Sequence, residues 1–284
     1  MDIFFFATIA LWGVLVGVVF SSIGAAGGIL ASFGLISIVG VADPNSVKPM
    51  TQIIALATAL IFVPGYFRRS ALVWPLGLLL AAGGLLGAWI GSSLSSAYLT
   101  DMGTFRPLLG ALIVVIAAQI AWELFKSSKM HNSGRSSNEK ADDHGVRDLS
   151  FSGMALTFSY GGQGYRVVMW SPFLAGFLIA AIAAIFGVGG GFLLVPYMST
   201  VLRMPMHIIP ATSGIAIIIS LLVSIGNYLA LGARLEFNAL LPLLVGAVLG
   251  AIIGPVVNHR MNNSWLRMIL SLIIFVIGLR YILT

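Results

Sequence analysis

The sequence contains no cysteine, so disulfide bonds, thiolate metal sites and thiol catalysis are excluded. Charge is also scarce: only 8% of residues are Asp, Glu, Lys or Arg, whereas soluble domains carry roughly 25%. Hydrophobic residues make up 59% of the chain, and its mean hydropathy is +1.04. A chain of this composition cannot fold as a water-soluble domain, and we predict an integral membrane protein.

Acidic residues are few, and their positions exclude several functions. All nine Asp and Glu residues lie in loops, at helix ends or in a hydrophilic central region. Proton pumps and sodium symporters usually keep a carboxylate inside a spanning helix, so cation transport is disfavoured. The apolar segments also lack the paired Ser/His, Asp/Asp or metal-ligating residues that intramembrane catalysis requires. We therefore expect no enzyme activity, no catalytic residues, no metal and no cofactor.

Apolar segments of about twenty residues match the ~30 Å hydrocarbon core when they are helical. They cover residues 3–23, 28–41, 50–67, 72–97, 105–125, 171–187, 190–202, 210–231, 237–258 and 264–283. The formal net charge of +6 suits cytoplasmic loops that face anionic lipid better than it suits nucleic acid. The predicted fold class is an all-α polytopic membrane protein in contact with membrane lipids.

A hydrophilic connector divides the chain. Residues 126–150 mix Ser, Asn, Gly and both charge signs, which predicts a disordered, cytoplasmic segment. The following run, MALTFSYGGQGYRVVMW, has two β-prone stretches around a Gly-Gly-Gln-Gly turn and predicts a short interfacial hairpin. The predicted organisation is a first transmembrane repeat at 1–125, the connector at 126–170 and a second repeat at 171–284.

The two halves resemble each other in the order of their motifs. Each has a glycine run, then Pro-x-Thr, then three glycines spaced by four, then an arginine at the head of its last helix. Chance similarity between apolar sequences is the alternative, and the shared order argues against it. The matched pairs are Gly24/Gly187, Gly27/Gly190, Gly28/Gly191, Pro49/Pro210, Thr51/Thr212, Gly83/Gly246, Gly87/Gly250, Gly91/Gly254 and Arg106/Arg267. Internal duplication of this kind is typical of secondary transporters.

The glycine runs predict breaks within the membrane. In the second half, the apolar pieces on either side of the run are ~16 and ~13 residues long, too short to span separately and too long for one crossing. A re-entrant hairpin with the glycines near its tip solves this. Each half then has one Gly-interrupted hairpin plus three transmembrane helices, an odd number, so the halves form inverted repeats. A parallel four-plus-four repeat is the alternative. The number of lysine and arginine residues placed on the cytoplasmic side is larger by only one in the inverted arrangement.

The inventory of polar groups suits an anion as ligand. A helix that begins after a glycine break directs unpaired N–H groups and a positive dipole end toward the break. The alternative role for these glycines is tight helix packing, which is also what the glycines spaced by four predict. The candidate substrate-binding glycines are Gly24, Gly27, Gly28, Gly187, Gly189, Gly190 and Gly191.

Polar residues near the breaks complete the candidate site. SVKPMTQ and HIIPATSG open the second element of each half and place hydroxyl and amide groups near a helix N-terminus. Helix capping is an alternative role for these groups. Lys48 can pair with a sulfonate or carboxylate, or extend to the membrane interface. The candidates are Lys48, Thr51, Gln52, Thr212 and Ser213.

These motifs carry a family resemblance. The glycine run followed by Phe-Leu-Leu-Val-Pro, then Pro-x-Thr-Ser, then LLVGAVLGAIIGPVV, resembles the TauE/SafE family of sulfite and organosulfonate exporters. SSIGAAGGILAS with KPMTQ resembles the family's degenerate N-terminal copy, so both halves are covered. Ala25 and Ala26 replace part of the glycine run there, and Gln52 stands where the second copy has Ser213, so the two breaks need not bind substrate symmetrically.

The resemblance implies a secondary transporter that exports a small sulfur-containing oxyanion, such as sulfite, sulfoacetate or a related organosulfonate. It also implies a bacterial cell (inner) membrane, alternating access around the two breaks, and coupling to the proton gradient as an expectation for the class. A passive anion channel of the same architecture, a carboxylate-anion transporter and a non-transporting assembly factor remain alternatives. A homodimer is compatible with these expectations.

Overall fold

A computed structural model describes residues 3–23, 26–69, 72–131, 147–160, 162–205, 208–260 and 263–283. These residues are mostly helical. The helices are α1 (Ile3–Ile23), α2 (Ala26–Phe33), α3 (Pro44–Arg69), α4 (Trp74–Tyr98), α5 (Met102–His131), α6 (Trp170–Phe186), α7 (Gly191–Pro196), α8 (Ile209–Ala230), α9 (Phe237–Arg260) and α10 (Asn263–Leu283). Both α2 and α7 continue as π-helical segments, Gly34–Val39 and Tyr197–Val201.

Several helices match the dimensions of a bilayer. Among the described residues, five are long and apolar enough to cross a membrane: Phe4–Ser21, Trp74–Tyr98, Met102–Trp122, Ile209–Ala230 and Phe237–Gly254. Shorter apolar helices of 10–17 residues cover Gly27–Val39, Trp170–Phe186, Gly191–Val201 and Met268–Leu283. The prediction of a polytopic, helical membrane protein is confirmed.

The structure describes the two ends of the segment predicted to be disordered, and residues 132–146 lie outside the described residues. Helix α5 continues six residues into it, to His131. An antiparallel sheet follows, formed by β1 (Arg147–Ser152), β2 (Ala155–Tyr160) and β3 (Gln163–Val168), with Tyr160 paired to Gln163 across the predicted turn. Strands β2 and β3 cover the two β-prone stretches, and β1 is a third strand; the all-α prediction included no sheet.

The sheet covers one end of the helical bundle, which we call the sheet side. Its buried residues Leu156, Phe158 and Val167 pack in one apolar cluster with Leu76 of α4 and Met198 after α7. Helix α8 begins in the same cluster. The starts of α4 and α8 therefore both lie on the sheet side.

Two glycine triplets allow the closest packing between helices, as their spacing predicts. A Cβ at Gly83, Gly87 or Gly91 of α4 would overlap the backbone of α6 at Phe173, Phe177 or Ala181 respectively. The equivalent positions in α9 are Gly246, Gly250 and Gly254, which contact Ala10, Val14 and the Val18–Ser21 turn of α1. Residue numbers rise together in both pairs, so α4 runs parallel to α6 and α1 runs parallel to α9.

Two further pairs run antiparallel. In the pair α3 and α8, Val63 contacts Gly214 while Lys48 faces Tyr228. In the pair α5 and α10, Gly110 lies against Tyr281, and the Ser271 hydroxyl donates to the Ala117 carbonyl at 2.9 Å. Residue numbers rise in one helix of each pair and fall in the other.

Replacing Gly250 with alanine is expected to destabilise the fold. The new methyl group would overlap the Val14 carbonyl oxygen, and overpacking of this kind costs ~1–3 kcal/mol. Gly226 of α8 is the matched control, because nothing lies within 4 Å of its Cβ position. Gly226→Ala should raise stability by ~0.4–1 kcal/mol, since alanine restricts the unfolded chain. Thermal unfolding in detergent measures both changes, and similar midpoints for the two variants would contradict the packing role.

Candidate functional site

The second glycine break is a sharp turn between α6 and α7. Gly187 ends α6 in the left-handed conformation, with φ of 75°, and its N–H group donates to Ala183 O. The N–H of Val188 donates to the same carbonyl at 3.1 Å, so the helix end is closed by its own backbone. Gly189 also has positive φ, and Gly190 immediately precedes α7. Glycine is therefore required at the turn for conformational reasons.

One face of α3 lies along this break. A Cβ at Gly187 would stand 2.7 Å from Lys48 Cα, and one at Gly189 would stand 3.5 Å from Ala55 Cβ. Gln52 lies between these two α3 residues at helical spacing, on the same face. The close approach of α3 thus depends on the small size of the glycines.

The first glycine break contacts the second. Gly24 lies outside the described residues. Gly27 in α2 packs against the Phe20 ring, and a Cβ at Gly28 would stand 3.2 Å from the carbonyl carbon of Val188. The two breaks that were identified separately in the sequence therefore meet within the folded protein.

A small cavity lies beside the second break. Its volume is about 20 Å³, room for roughly one water molecule. Its lining is apolar apart from Gln52, Ser220 and Ser224, with Gly190 contributing backbone. The remaining lining residues are Leu80, Gly176, Ile179, Ala180, Ala183, Ala184, Leu194, Ala216, Ile217 and Leu221.

Two polar atoms at this cavity lack partners. Gln52 and Ser224 are each 1% exposed, and neither Gln52 Oε1 nor Ser224 Oγ has a hydrogen-bond partner in the structure. Ser220 differs, because its hydroxyl donates to Ala216 O at 2.7 Å. An unpaired buried polar atom costs ~1–3 kcal/mol, so two at one cavity favour a ligand that supplies the missing partners.

Helix interfaces border the cavity in two directions. Toward the sheet side, Leu80, Ile179 and Leu194 belong both to the lining and to the apolar cluster that includes the sheet. In the opposite direction, Lys48 lies one turn from Gln52, and Tyr228 lies one turn from Ser224. We call this the Lys48 side.

The other polar residues predicted for the site form hydrogen bonds to protein atoms and do not line the cavity. Lys48 Nζ donates to neutral oxygens of residues in and beside α3 and α4. The Thr51 hydroxyl donates to Val47 O at 3.0 Å and lies 3.3 Å from Ser32 Oγ of α2. Thr212 Oγ1 accepts from the N–H of Val73 at 3.3 Å, just before α4. The Ser213 hydroxyl donates to its own helix at Ile209 O, 2.8 Å away. Gly191 is the first residue of α7.

Sequence interpretation missed two cavity residues. Ser220 and Ser224 lie on α8, well after the Pro-x-Thr-Ser motif, in an otherwise apolar stretch. The available signal was their spacing, because Ser220, Ser224 and Tyr228 recur every four residues and so share one helix face. Within the described ranges, no three His, Asp or Glu side chains are grouped so that they could hold a metal ion.

Comparison with known proteins gives a match over nearly the whole chain. Residues 9–281 match the sequence profile described as "Sulfite exporter TauE/SafE". A "Probable membrane transporter protein YunE" from Bacillus subtilis is 24% identical over 98% of this chain and 97% of its own length. A "Probable membrane transporter protein" from Xylella fastidiosa is 26% identical over 68% of this chain and 62% of its own length. No solved structure matches the chain.

Proposed function

This chain belongs to the TauE/SafE family, and from that premise we propose that it is a secondary transporter that exports a small sulfur-containing oxyanion across the bacterial cytoplasmic membrane. The observation that carries the proposal is the small cavity beside the second break, where Gln52 and Ser224 have unpartnered polar atoms. Sulfite, sulfoacetate and related organosulfonates are the substrates proposed.

The chemistry of the cavity suits an oxyanion. The Ser224 hydroxyl and the Nε2 group of Gln52 can both donate hydrogen bonds to an oxyanion, whereas the unpartnered Gln52 Oε1 can only accept one. Helix α7 begins beside them at Gly191, and the N–H groups of its residues Leu193 and Leu194 already donate to Gly190 O. The two side-chain donors can together bind oxygen atoms of a sulfonate or sulfite. The cavity has room for roughly one water molecule in this conformation, so it must widen to admit such an anion, and the apolar remainder of its lining then suits the short carbon chain of an organosulfonate.

The helix directions support an inverted repeat. Helices α3 and α8 are antiparallel, and so are α5 and α10. Short loops join α3 to α4 and α8 to α9, so α4 and α9 are antiparallel as well. Helix α1 is parallel to α9, and α6 is parallel to α4. The first helices of the two halves, α1 and α6, therefore also run in opposite directions. Every long helix of the first half thus opposes its counterpart, as a pseudo-twofold axis in the membrane plane requires.

The meeting of the two breaks supports re-entrant hairpins. Helices α1 and α6 run in opposite directions, yet their ends come together where Gly28 meets Val188. In the proposed topology α1 enters from the Lys48 side and α2 returns to that side. Helix α6 enters from the sheet side and α7 returns to it. The sheet side is then cytoplasmic and the Lys48 side external. Rearrangement around the paired breaks would expose the cavity to one side at a time.

Flux measurements in proteoliposomes test the proposed transport. We expect saturable uptake of a labelled sulfonate or of sulfite, stimulated by a pH gradient and showing counterflow. Fast flux without saturation or counterflow would instead identify an anion channel. A thermal-shift panel of sulfonates, sulfite, thiosulfate and carboxylates should identify the substrate, because a ligand of the folded state raises the unfolding temperature. Stabilisation by carboxylates alone would overturn the sulfur-oxyanion assignment.

Removing the unpartnered groups should weaken substrate binding. Ser224→Ala and Gln52→Leu each delete one hydrogen bond to a charged ligand, worth ~1.5–3 kcal/mol, which corresponds to about a tenfold or larger increase in Kd. Ser271→Ala is the matched control, since it removes a buried hydroxyl in the α5–α10 interface away from the cavity. Titration of the purified variants measures the effect. Equal affinity in Ser224→Ala and Ser271→Ala would exclude Ser224 from the binding site.

A further inference from the structure

Lys48 is the one fully buried charged side chain among those that the structure describes, with 0% of its surface exposed. Its ammonium donates to Leu99 O at 2.7 Å, Asn45 Oδ1 at 3.1 Å and Ser95 O at 3.3 Å. All three acceptors are neutral. The two carbonyls belong to the C-terminal end of α4, where the helix dipole favours a cation. Lys48 therefore joins the start of α3 to the end of α4.

The same side chain lies between the cavity and the Lys48 side of the protein. Its ammonium is 4.9 Å from the centre of the Phe105 ring and 6.0 Å from that of Tyr228. Tyr228 is itself fixed, because its hydroxyl donates to Ala184 O at 2.8 Å, and Ala184 lines the cavity. Lys48, Phe105 and Tyr228 thus form one cluster on the Lys48 side of the cavity, and we call them the Lys48 gate.

An anion in the cavity would compete with α4 for the ammonium. The hydrogen bonds of the buried ammonium go only to neutral oxygens, and among the described residues the one carboxylate that acts on it electrostatically is that of Asp43. A hydrogen bond from ammonium to an oxyanion is roughly twice as strong as one between neutral groups. Gln52 is one helical turn from Lys48, so a ligand bound at Gln52 comes close to the gate. A cation in the same place would be repelled.

We infer that Lys48 both sets the preference of the pathway for anions and holds the gate closed until an anion arrives. Binding of a sulfonate, sulfite or other small oxyanion draws the ammonium from the carbonyls of Ser95 and Leu99. This separates the start of α3 from the end of α4 and opens the Lys48 side. The inference rests on the proposed transport pathway, and it adds the residue that discriminates charge and couples binding to opening.

The absence of cysteine makes a direct test simple. Ser224→Cys places a single thiol at the cavity, and its modification is measured with two membrane-impermeant reagents, anionic sulfonatoethyl and cationic trimethylammonioethyl methanethiosulfonate. Each is applied to the Lys48 side of sealed proteoliposomes. With Lys48 present, we expect the anionic reagent to react about tenfold faster or more. Adding Lys48→Met should remove that preference and accelerate the cationic reagent.

Two further variants separate charge from structure. Lys48→Arg keeps the cation and should keep the anionic preference. Lys48→Gln keeps hydrogen-bonding capacity without charge and should lose it, which covers the case in which Lys48→Met does not fold. A ratio of the two rates that is the same with lysine, methionine and glutamine would overturn the inference and leave Lys48 a structural link between α3 and α4.

The outcome can be told apart from failure of the proposed function. Transport of sulfonate by the unmodified protein, together with an unchanged ratio of rates, would reject the gate and retain the transporter. If Lys48→Met loses the preference for the anionic reagent, and the unmodified protein shows no flux of any anion, the gate would be supported and the transporter rejected.

Discussion

Replacing Gly190 with leucine is expected to abolish transport while leaving the protein folded. Gly190 has an ordinary helical conformation, and a Cβ there would stand 3.6 Å from Ile179 Cγ2 and 3.7 Å from Ala183 Cβ. The backbone therefore tolerates a side chain, but a leucine must extend into the cavity of about 20 Å³ and fill it. A penalty of ~1–3 kcal/mol for overpacking corresponds to about a 5- to 150-fold loss of ligand affinity before any effect on movement.

Alanine at the same position is the control. The Gly190→Ala methyl group meets its neighbours at ordinary van der Waals distances, so affinity and flux should stay close to those of the unmodified protein. Proteoliposome flux and thermal-shift titration measure both variants, and gel filtration checks their folding. Full transport by folded Gly190→Leu would show that the cavity is not part of the pathway.

The second large effect is expected at Gly187, where alanine should destabilise the protein severely. A side chain in the left-handed conformation costs ~1–2 kcal/mol, and the methyl group would stand 2.7 Å from Lys48 Cα, an overlap that adds ~1–3 kcal/mol. The neighbour is backbone, which cannot rotate away. The sum is a large fraction of the stability of a typical domain.

Unfolding of the detergent-purified protein measures this change. Gly187→Ala should lower the midpoint strongly, whereas Gly190→Ala, three residues away in the same glycine run, should change stability by about 0.5 kcal/mol or less. Equal stability of the two variants would show that α3 does not pack on the break as closely as described. The different behaviour of these two glycines separates the one needed for the turn from the one that borders the cavity.

The sequence alone determined the membrane class and the positions of the helices. The apolar segments predicted at 171–187 and 237–258 correspond to helices Trp170–Phe186 and Phe237–Arg260, because hydrophobic length has to match bilayer thickness. The roles of Gly83, Gly87 and Gly91 also followed from spacing, since residues four apart share one helix face. The connector was harder to predict, because the sheet is stabilised by packing on α4 and α8 and not by its own composition.

Only the tertiary structure decided which polar residues meet. The sequence grouped Lys48, Thr51 and Gln52 within one motif, yet successive helix positions point in different directions, so Gln52 reaches the cavity while Thr51 contacts α2. Ser224 lines the same cavity as Gln52 because α3 and α8 pack antiparallel, a long-range contact that no local pattern encodes. The contact between Gly28 and Val188 likewise exists only because two halves of one chain fold against each other.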